Sequence, residues 1–477
     1  MGRQRYKYPK FENVKVIDLT IDGKAVAKVL YDNPDKKDIT IFITKAMPGD
    51  IVNIQINKKK KNYFEGYPTE FVKLSSQRVE PICKHYGICG GCTRQDLDYK
   101  TQLEYKQRQI EETLKRIGKI ELPQAKKITA SEDSVYYRNK LEYTFSNKRW
   151  LTEADIENRY NIEQSNALGF HIPGRFDKVL DITECKLQSE LSNEIKNFIR
   201  QFAFDNKLSF YDLVEHHGLL RNLIIRTSTI GEIMVLLSFA ENKIQEIENL
   251  LKAIQQKFQQ ITSIMYVINP KKNDTILDLD IINFSGKDHI IEQMGELKFK
   301  VGPKSFYQTN SKQAHTLYKI AKNLADLKGT ETVYDLYTGT GTIANFVADK
   351  AKKVIGIEYV PEAIEDAKVN SEINGIKNTE FYAGDMKDIL NEEFIEKNGK
   401  PDVIILDPPR AGIHGDVINT LINSKTEKIV YISCNPATQA RDLQLLGDYY
   451  EVLEFQPVDM FPHTHHTENV VLLKKKL

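Results

Sequence analysis

Cysteine and carboxylate positions give the first chemical leads in this sequence. Cys434 sits in Ser433-Cys434-Asn435-Pro436, directly after the apolar run of residues 428–432. A thiol at a strand tip beside a turn is placed to act as a nucleophile; the competing use is a buried structural cysteine. A second apolar run, residues 401–406, ends in Asp407-Pro408-Pro409-Arg410. Two prolines stiffen the backbone there, at the carboxyl end of a strand, where open α/β sheets bind ligands. Neighbouring strand tips put Asp407 and Cys434 on one rim. Residues 332–337 run into the glycine-rich turn Thr338-Gly339-Thr340-Gly341-Thr342, and residues 353–358 end in Glu358, 17 residues after Gly341. A carboxylate at that strand end can accept both hydroxyls of a ribose, the alternative being a cap on the helix near Pro361. The third glycine of a dinucleotide fingerprint is missing.

A different chemistry is written near the front. Cys83, Cys89 and Cys92 fall within ten residues, and the whole chain holds only five cysteines. Five is too few and too odd for a disulfide framework, so the cluster reads as a metal or iron–sulfur site in a cytoplasmic protein. Tetrahedral zinc is the rival, although the x5 and x2 spacings differ from common zinc pairs and ferredoxin runs. His463, His465 and His466 form another group, read as ordering a loop by hydrogen bonds rather than as metal ligands. Arg410 and Lys304 are read either as phosphate partners near the pocket or as plain surface ion pairs.

These residues need elements to hold them. The chain has 477 residues, 41% hydrophobic and 28% charged, enough for two to four domains that each bury a core. Mean hydropathy is −0.45, and no apolar run approaches the ~18 residues of a membrane span. Residues 1–7 are basic with no apolar stretch behind them, which argues against a secretory signal. A net charge of +1 hides an asymmetry: residues 1–127 hold 26 Lys/Arg against 16 Asp/Glu, and the rest hold 41 against 50. A basic front region suits a polyanion.

Residues 11–72 alternate apolar and polar in short runs around Asp22-Gly23 and residues 47–50, the pattern of a five-stranded OB-like barrel. Lys58, Lys59, Lys60 and Lys61 with Tyr63, Phe64 and Tyr67 offer phosphate neutralisation beside stacking surfaces, or else a solvated hairpin tip. Residues 98–118 read as a polar helix. Residues 125–295 mix strands (140–146, 219–228, 232–239) with helices (187–204, 243–258). From about 296, strands alternate with helices, as in a mostly parallel sheet.

The glycine turn, Glu358 and the following Ala363–Asn370 segment resemble the S-adenosyl-L-methionine site of class I methyltransferases. Ser305-Phe306-Tyr307-Gln308-Thr309-Asn310, Asp407-Pro408-Pro409-Arg410, Ser433-Cys434-Asn435-Pro436 and the tail His463–Val470 resemble, in order, the RNA uracil-C5 methyltransferases. Cys83-x5-Cys89-Gly90-Gly91-Cys92 and the segment 181–188 around Cys185 resemble that family's iron–sulfur ribosomal RNA branch. The resemblance covers nearly the whole chain. It implies a multidomain α/β protein: a TRAM (OB-like) RNA-binding barrel over residues 1–74, a central α+β domain with a 4Fe-4S cluster over 75–295, and a Rossmann-like methyltransferase domain over 296–477.

Carried over residue by residue, the resemblance makes Cys434 the nucleophile and Glu468 the general base. Gln308, Tyr337, Glu358, Asp385 and Asp407 would line the cofactor site, with Asp385 towards the adenine. Asp407 could serve either the cofactor or the uracil N3–H. Thr342 stands where some relatives carry a cofactor-touching asparagine and is left out. Cys83, Cys89, Cys92 and Cys185 would hold the cluster, in a structural or RNA-positioning role. The implied activity is 23S rRNA (uracil-C5) methylation by a monomer with no membrane association and no obligate protein partner. Alternatives are a tRNA enzyme, whose known relatives are shorter and usually lack barrel and cluster cysteines, a methyltransferase for another base position, and a non-catalytic RNA-binding assembly factor.

Overall fold

The computed structural model describes residues 8–30, 38–157 and 165–477; the basic residues 1–7 lie outside the described residues. Period-two burial builds the first unit. Strands β1 (Lys10–Leu19), β2 (Ala25–Val29), β3 (Ile39–Ile43), β4 (Ile51–Lys59) and β5 (Tyr63–Lys73) close into a barrel in the order β1-β2-β3-β5-β4. Val14, Val16, Ala25, Ala27, Ile41, Ile43, Val52, Ile54, Ile56 and Phe64 fill it. Phe64 is only 1% exposed, so it is a core residue and not a stacking surface; Tyr67, 44% exposed, is the outward aromatic of that group. The strand alternation decides this, because Phe64 and Tyr67 stand an odd number of residues apart. Lys58 and Lys59 belong to β4, so the lysine run is only partly a loop.

The second unit is a seven-stranded sheet in the order β12-β11-β10-β9-β6-β7-β8. Its strands are β6 (Lys140–Ser146), β7 (Ala167–Ile172), β8 (Arg175–Asp181), β9 (Leu220–Thr227), β10 (Ile233–Phe239), β11 (Ser263–Ile268) and β12 (Ile281–Gly286). Helices Glu190–Asp205 and Ile244–Lys257 cover one face through Ile195, Ile199, Leu250 and Ile254. The hairpin β13 (Ile290–Met294) and β14 (Leu297–Val301) straddles position 295 and packs with the third unit.

That third unit is the mostly parallel sheet β17-β16-β15-β18-β19-β21-β20. It comprises β15 (Thr332–Leu336), β16 (Lys353–Glu358), β17 (Thr379–Ala383), β18 (Val403–Leu406), β19 (Lys428–Ser433), β20 (Tyr450–Val458) and β21 (Glu468–Lys475). Both faces are buried, which is why its strands read as continuous apolar runs. Val333, Val354, Ile405, Val430 and Val470 face one core; Tyr334, Ile355, Leu406, Tyr431 and Val471 face the other. The order reverses at β15, between β16 and β18, which opens a crevice at the strand ends.

The helix Tyr99–Thr113 starts where Asp98 caps the Thr101 N–H at 3.0 Å and continues as a π turn over Leu114–Gly118. It precedes the second unit in sequence, yet Ile110 and Leu114 sit in the core of the third. A buried ion pair completes that docking: Lys106 Nζ lies 2.6 Å from Asp459 Oδ1, with both side chains almost wholly buried. Removing one partner strands the other charge in a dry site. Lys106→Ala should therefore cost about 3–5 kcal/mol in urea unfolding. A loss under ~1 kcal/mol, the range of exposed pairs, would show that this pair does not hold the helix in place.

Candidate active site

At the crevice, β15 delivers Asp335 into the core, where its Oδ2 accepts from Thr338 Oγ1 (2.5 Å) and the Ala344 N–H (2.9 Å). Burial pushes the Asp335 carboxyl up to about 7, and its Oδ1 has no partner among the described residues. The turn that follows winds through left-handed backbone at Tyr337 (φ +67°), Gly339 (φ +55°) and Gly341 (φ +74°). A Cβ on Gly341 would stand 2.8 Å from the Ala367 Cβ, so only glycine fits there. Tyr337 takes the same conformation at a steric cost that the surrounding packing must hold.

Glu358, at the tip of β16, accepts the Gly339 N–H and the Val360 N–H, each at 3.1 Å. Glu358 does not cap the helix at Pro361, whose N-cap Val360 has no side-chain cap bond; it braces the glycine turn, and each oxygen keeps a lone pair that a ribose hydroxyl could use. Gln308 hydrogen-bonds the Tyr318 hydroxyl beside Asp407. Asp385 lies further out, capping the short helix Met386–Ile389 and paired with Lys387 at 3.3 Å. Its pKa is lowered first by the Lys387 N–H and then by the Lys387 ammonium. A nucleoside finds here an open glycine backbone, acceptors for its hydroxyls and an unpartnered buried carboxylate oxygen, so the residues present fit an adenosine-containing cofactor.

Cys434 and Glu468 meet through strand register. Antiparallel β19 and β21 end their pairing at Ser433 and Asn469, and Cys434 and Glu468 flank that last rung, close enough for the Glu468 charge to act on the thiol. Glu468 is 4% exposed, and burial followed by the Asp407 charge pushes it up to about 8. Asp407 itself is pushed up to about 7 by burial. Burial, then Glu468 and Asp407, push the Cys434 thiol up to about 11, while a hydrogen bond from Arg410 pulls it back down. Arg410 reaches His466 Nδ1 at 2.8 Å, a role neither of the two sequence readings for this arginine contained.

A cavity of about 220 Å³ opens at Cys434, lined also by Arg410, His465, His466, Gln109, Ile21 and Asp22. The last two come from the β1–β2 turn of the barrel. Their place in the site has no local sequence signal, because it arises from docking: Gln109 Nε2 donates to Leu19 O (3.2 Å) and Thr20 O (3.0 Å), and Arg94 donates to Gly23 O. Gly23 lies against His465, where a Cβ would meet the ring at 3.3 Å.

The histidine segment between β20 and β21 is held from several sides. His463, at φ +65°, receives Thr93 and Arg94 N–H groups on its carbonyl at 2.8 and 3.0 Å. Its own N–H donates to Gln102 Oε1 (2.9 Å), and Tyr137 donates to Pro462 O (3.0 Å). Loop ordering by hydrogen bonds is thus what His463 does.

Cys83, Cys89, Cys92 and Cys185 line one cavity of about 360 Å³ with His85, Arg138 and Pro173, and all four are free thiols. The Cys-Gly-Gly-Cys turn needs its glycine: a Cβ on Gly90 would overlap Pro173 at 2.3 Å. Cys185 is fixed by its N–H to Asn193 Oδ1 at 2.8 Å. Among the described residues no three His, Cys, Asp or Glu side chains are gathered tightly enough for a single metal ion. Four thiolates around one zinc would stand about 3.8 Å apart. No helix among the described residues is long and apolar enough to cross a membrane.

Comparison with known proteins follows the same lines. The sequence model of the family described as tRNA (Uracil-5-)-methyltransferase matches residues 98–476. An uncharacterized RNA methyltransferase of Bacteroides thetaiotaomicron is 57% identical over 96% of this chain and 100% of its own length. One of Porphyromonas gingivalis is 51% identical over 96% of this chain and 99% of its own. The structure of the Pyrococcus abyssi tRNA (uracil-54, C5)-methyltransferase, solved with S-adenosyl-L-homocysteine, superposes with a TM-score of 0.73 at 28% identity, covering 97% of this chain and 100% of that one. A tRNA enzyme that matches nearly the whole chain corrects the expectation that such relatives are shorter, and removes length as a ground for preferring ribosomal RNA. The barrel, the crevice at β15 and these matches agree, and the chain belongs to the S-adenosylmethionine-dependent RNA uracil-C5 methyltransferases.

Proposed function

We propose that the protein forms 5-methyluridine in 23S ribosomal RNA, with Cys434 as nucleophile and Glu468 as general base. The observation that supports the catalytic part is the β19–β21 pairing, whose last rung at Ser433–Asn469 is flanked by Cys434 and Glu468, with the Glu468 and Asp407 charges both acting on the thiol. Ribosomal RNA rests on the resemblance of the four-cysteine pattern and barrel to that branch. Transfer RNA is the second reading, favoured by the likeness to the Pyrococcus abyssi enzyme.

Uracil C5 is a weak nucleophile and must be activated. The Cys434 thiolate adds to C6, and the electron pair of the C5–C6 double bond moves through C5 into the C4 carbonyl as an enolate. S-adenosylmethionine supplies a methyl group on a sulfonium, to which C5 bonds as the carbon–sulfur bond breaks. Glu468 then removes the remaining C5 proton, the double bond re-forms and Cys434 leaves as thiolate. Gln308, Tyr337, Glu358 and Asp407 hold the cofactor, with Asp385 on the adenine side. Arg410 opposes the negative charge that collects on sulfur. The target base is out of reach within a stacked helix, so it is flipped into the Cys434 cavity.

Incubation with labelled S-adenosylmethionine and either ribosomal or transfer RNA, followed by mapping of the product, separates the substrates. Cys434→Ala should abolish transfer to both. Glu468→Gln should accumulate a covalent protein–RNA adduct, and full turnover by that variant would remove Glu468 from the mechanism. The pH dependence has a definite sign. An acid raised to about 8 is mostly protonated at pH 7 and ionised at pH 9. Adduct resolution in the native enzyme should thus accelerate about tenfold over that interval in single-turnover experiments; a flat profile would exclude Glu468 as the base.

Cys83, Cys89, Cys92 and Cys185 are proposed to hold a 4Fe-4S cluster; their common cavity is the support. Methyl transfer includes no redox step, so the cluster's task is structural or RNA-positioning. Anaerobically purified protein should be brown and contain about four iron atoms per chain, and Cys185→Ala should lose both colour and iron. Colourless protein with one zinc and no iron would overturn the assignment.

A further inference from the structure

Arg410 carries the charge that opposes the acids around Cys434, and two anchors set its direction. Its carbonyl oxygen accepts from Asn435 Nδ2 at 2.9 Å and Thr438 Oγ1 at 3.2 Å, which ties its backbone to the helix that follows Cys434. Its guanidinium lies 2.8 Å from His466 Nδ1. Arginine has donors only, so Nδ1 must be the acceptor and the imidazole must be neutral, with its proton on Nε2.

We propose that His466 is a positioning residue for the methyl transfer, its neutral Nδ1 holding the Arg410 guanidinium against the Cys434 sulfur so that the thiolate can form. The ring is itself fixed. The His466 N–H donates to Thr464 Oγ1 at 3.2 Å, the His465 ring lies 4.1 Å away between centroids, and Phe461 meets it nearly edge-on at 6.3 Å. Burial, then His465 and Arg410, push His466 down to about 4, so the acceptor survives across the neutral range. A protonated ring would oppose one donor with another and release the arginine.

The titratable and charged groups around Cys434 and its cavity come from several elements. Glu468 approaches from β21, Asp407 and Arg410 from the end of β18, Asp22 from the barrel turn, and His465 and His466 from the loop before β21. Of these, the Glu468 and Asp407 carboxylates disfavour a thiolate. The direction in which Arg410 points therefore decides whether the thiol can be deprotonated near the working pH. Alanine at 466 would leave the guanidinium free to turn towards solvent or towards a carboxylate.

The consequence for turnover rests on Cys434 being the nucleophile, but the test does not. Alkylation of the peptide that contains Cys434, followed by mass spectrometry from pH 7 to 11 without RNA, reports its thiolate fraction directly. His466→Ala should slow that alkylation about tenfold at each pH below the midpoint, equivalent to one pKa unit. His466→Asn, whose Oδ1 can stand in for Nδ1, should restore most of the rate. Arg410→Ala should match His466→Ala, and the double variant should be no slower than either. In turnover, kcat should fall with KM for RNA unchanged. Should His466→Ala fail to fold, His466→Phe keeps the ring volume without the acceptor and carries the comparison. Alkylation unchanged in both, or the same slowing in His466→Asn as in His466→Ala, would overturn the assignment. Loss of methyl transfer with native alkylation would assign the ring to another step and overturn it too. Full methyl transfer by Cys434→Ala, by contrast, would refute the nucleophile and leave the alkylation result standing.

Discussion

Asp335, Asp407, Glu468 and Cys434 crowd the carboxyl rim of one sheet, and burial pushes the pKa of each upward. Like charges in a dry site cannot all ionise, so such a rim keeps protons until positive charge arrives. Arg410 supplies some of it from within the chain. A cofactor that carries a sulfonium supplies more, and lowers the same pKa values in the direction that the proposed base and nucleophile need. The neutral uracil ring adds no charge of its own. The rim is thus matched to a neutral base and a cationic methyl donor.

Crowding of this kind is useful only if the groups cannot move apart. The loop between β20 and β21 is accordingly fastened by parts of the chain far from it in sequence. Lys106 pairs with Asp459, Gln102 and the Thr93–Arg94 backbone grip His463, Tyr137 reaches Pro462, and Asn310 donates to Met460 O at 3.0 Å. Several independent bonds on one short loop can hold His463 at positive φ, which a single contact would not. Thr93 directly follows Cys92, so the turn that carries the cysteines and the loop that leads to Glu468 share a hydrogen-bonded seam. Loss of order in the cysteine segment would be felt at the catalytic rim through that seam.

Much of the third unit was legible because its chemistry sits at strand tips. The apolar runs before Asp407 and Cys434 and the one ending in Glu358 are β18, β19 and β16, and parallel pairing puts their ends on one rim without long-range information. The barrel strands were readable from alternation for the same local reason. Phe64 was misplaced because composition gives no face; only its distance from Tyr67 along the pleat does. The approach of Cys434 to Glu468, 34 residues later in sequence, depends on the antiparallel pairing of β19 and β21, and no local pattern states that register. Resemblance supplied Glu468 where periodicity could not. Lys106–Asp459, Arg410–His466 and the barrel turn beside Cys434 were invisible for a related reason: each joins residues dozens to hundreds apart whose types alone fit ordinary surface positions.

The barrel turn changes how the basic front region works. A basic front region suited to a polyanion could stand as a module apart from the sheet. Ile21 and Asp22 instead form part of the wall of the Cys434 cavity. A cavity of about 220 Å³ admits one base and little else, and its wall belongs partly to the barrel. On the proposed reading, an RNA strand that delivers a base there would pass along the seam between barrel and sheet with its neighbours unstacked. Paired A-form helix cannot do this without melting, whereas a loop or single-stranded segment can. If the target base enters at Cys434, as proposed, the docking of barrel on sheet would select RNA shape at the same place where the chemistry selects the base.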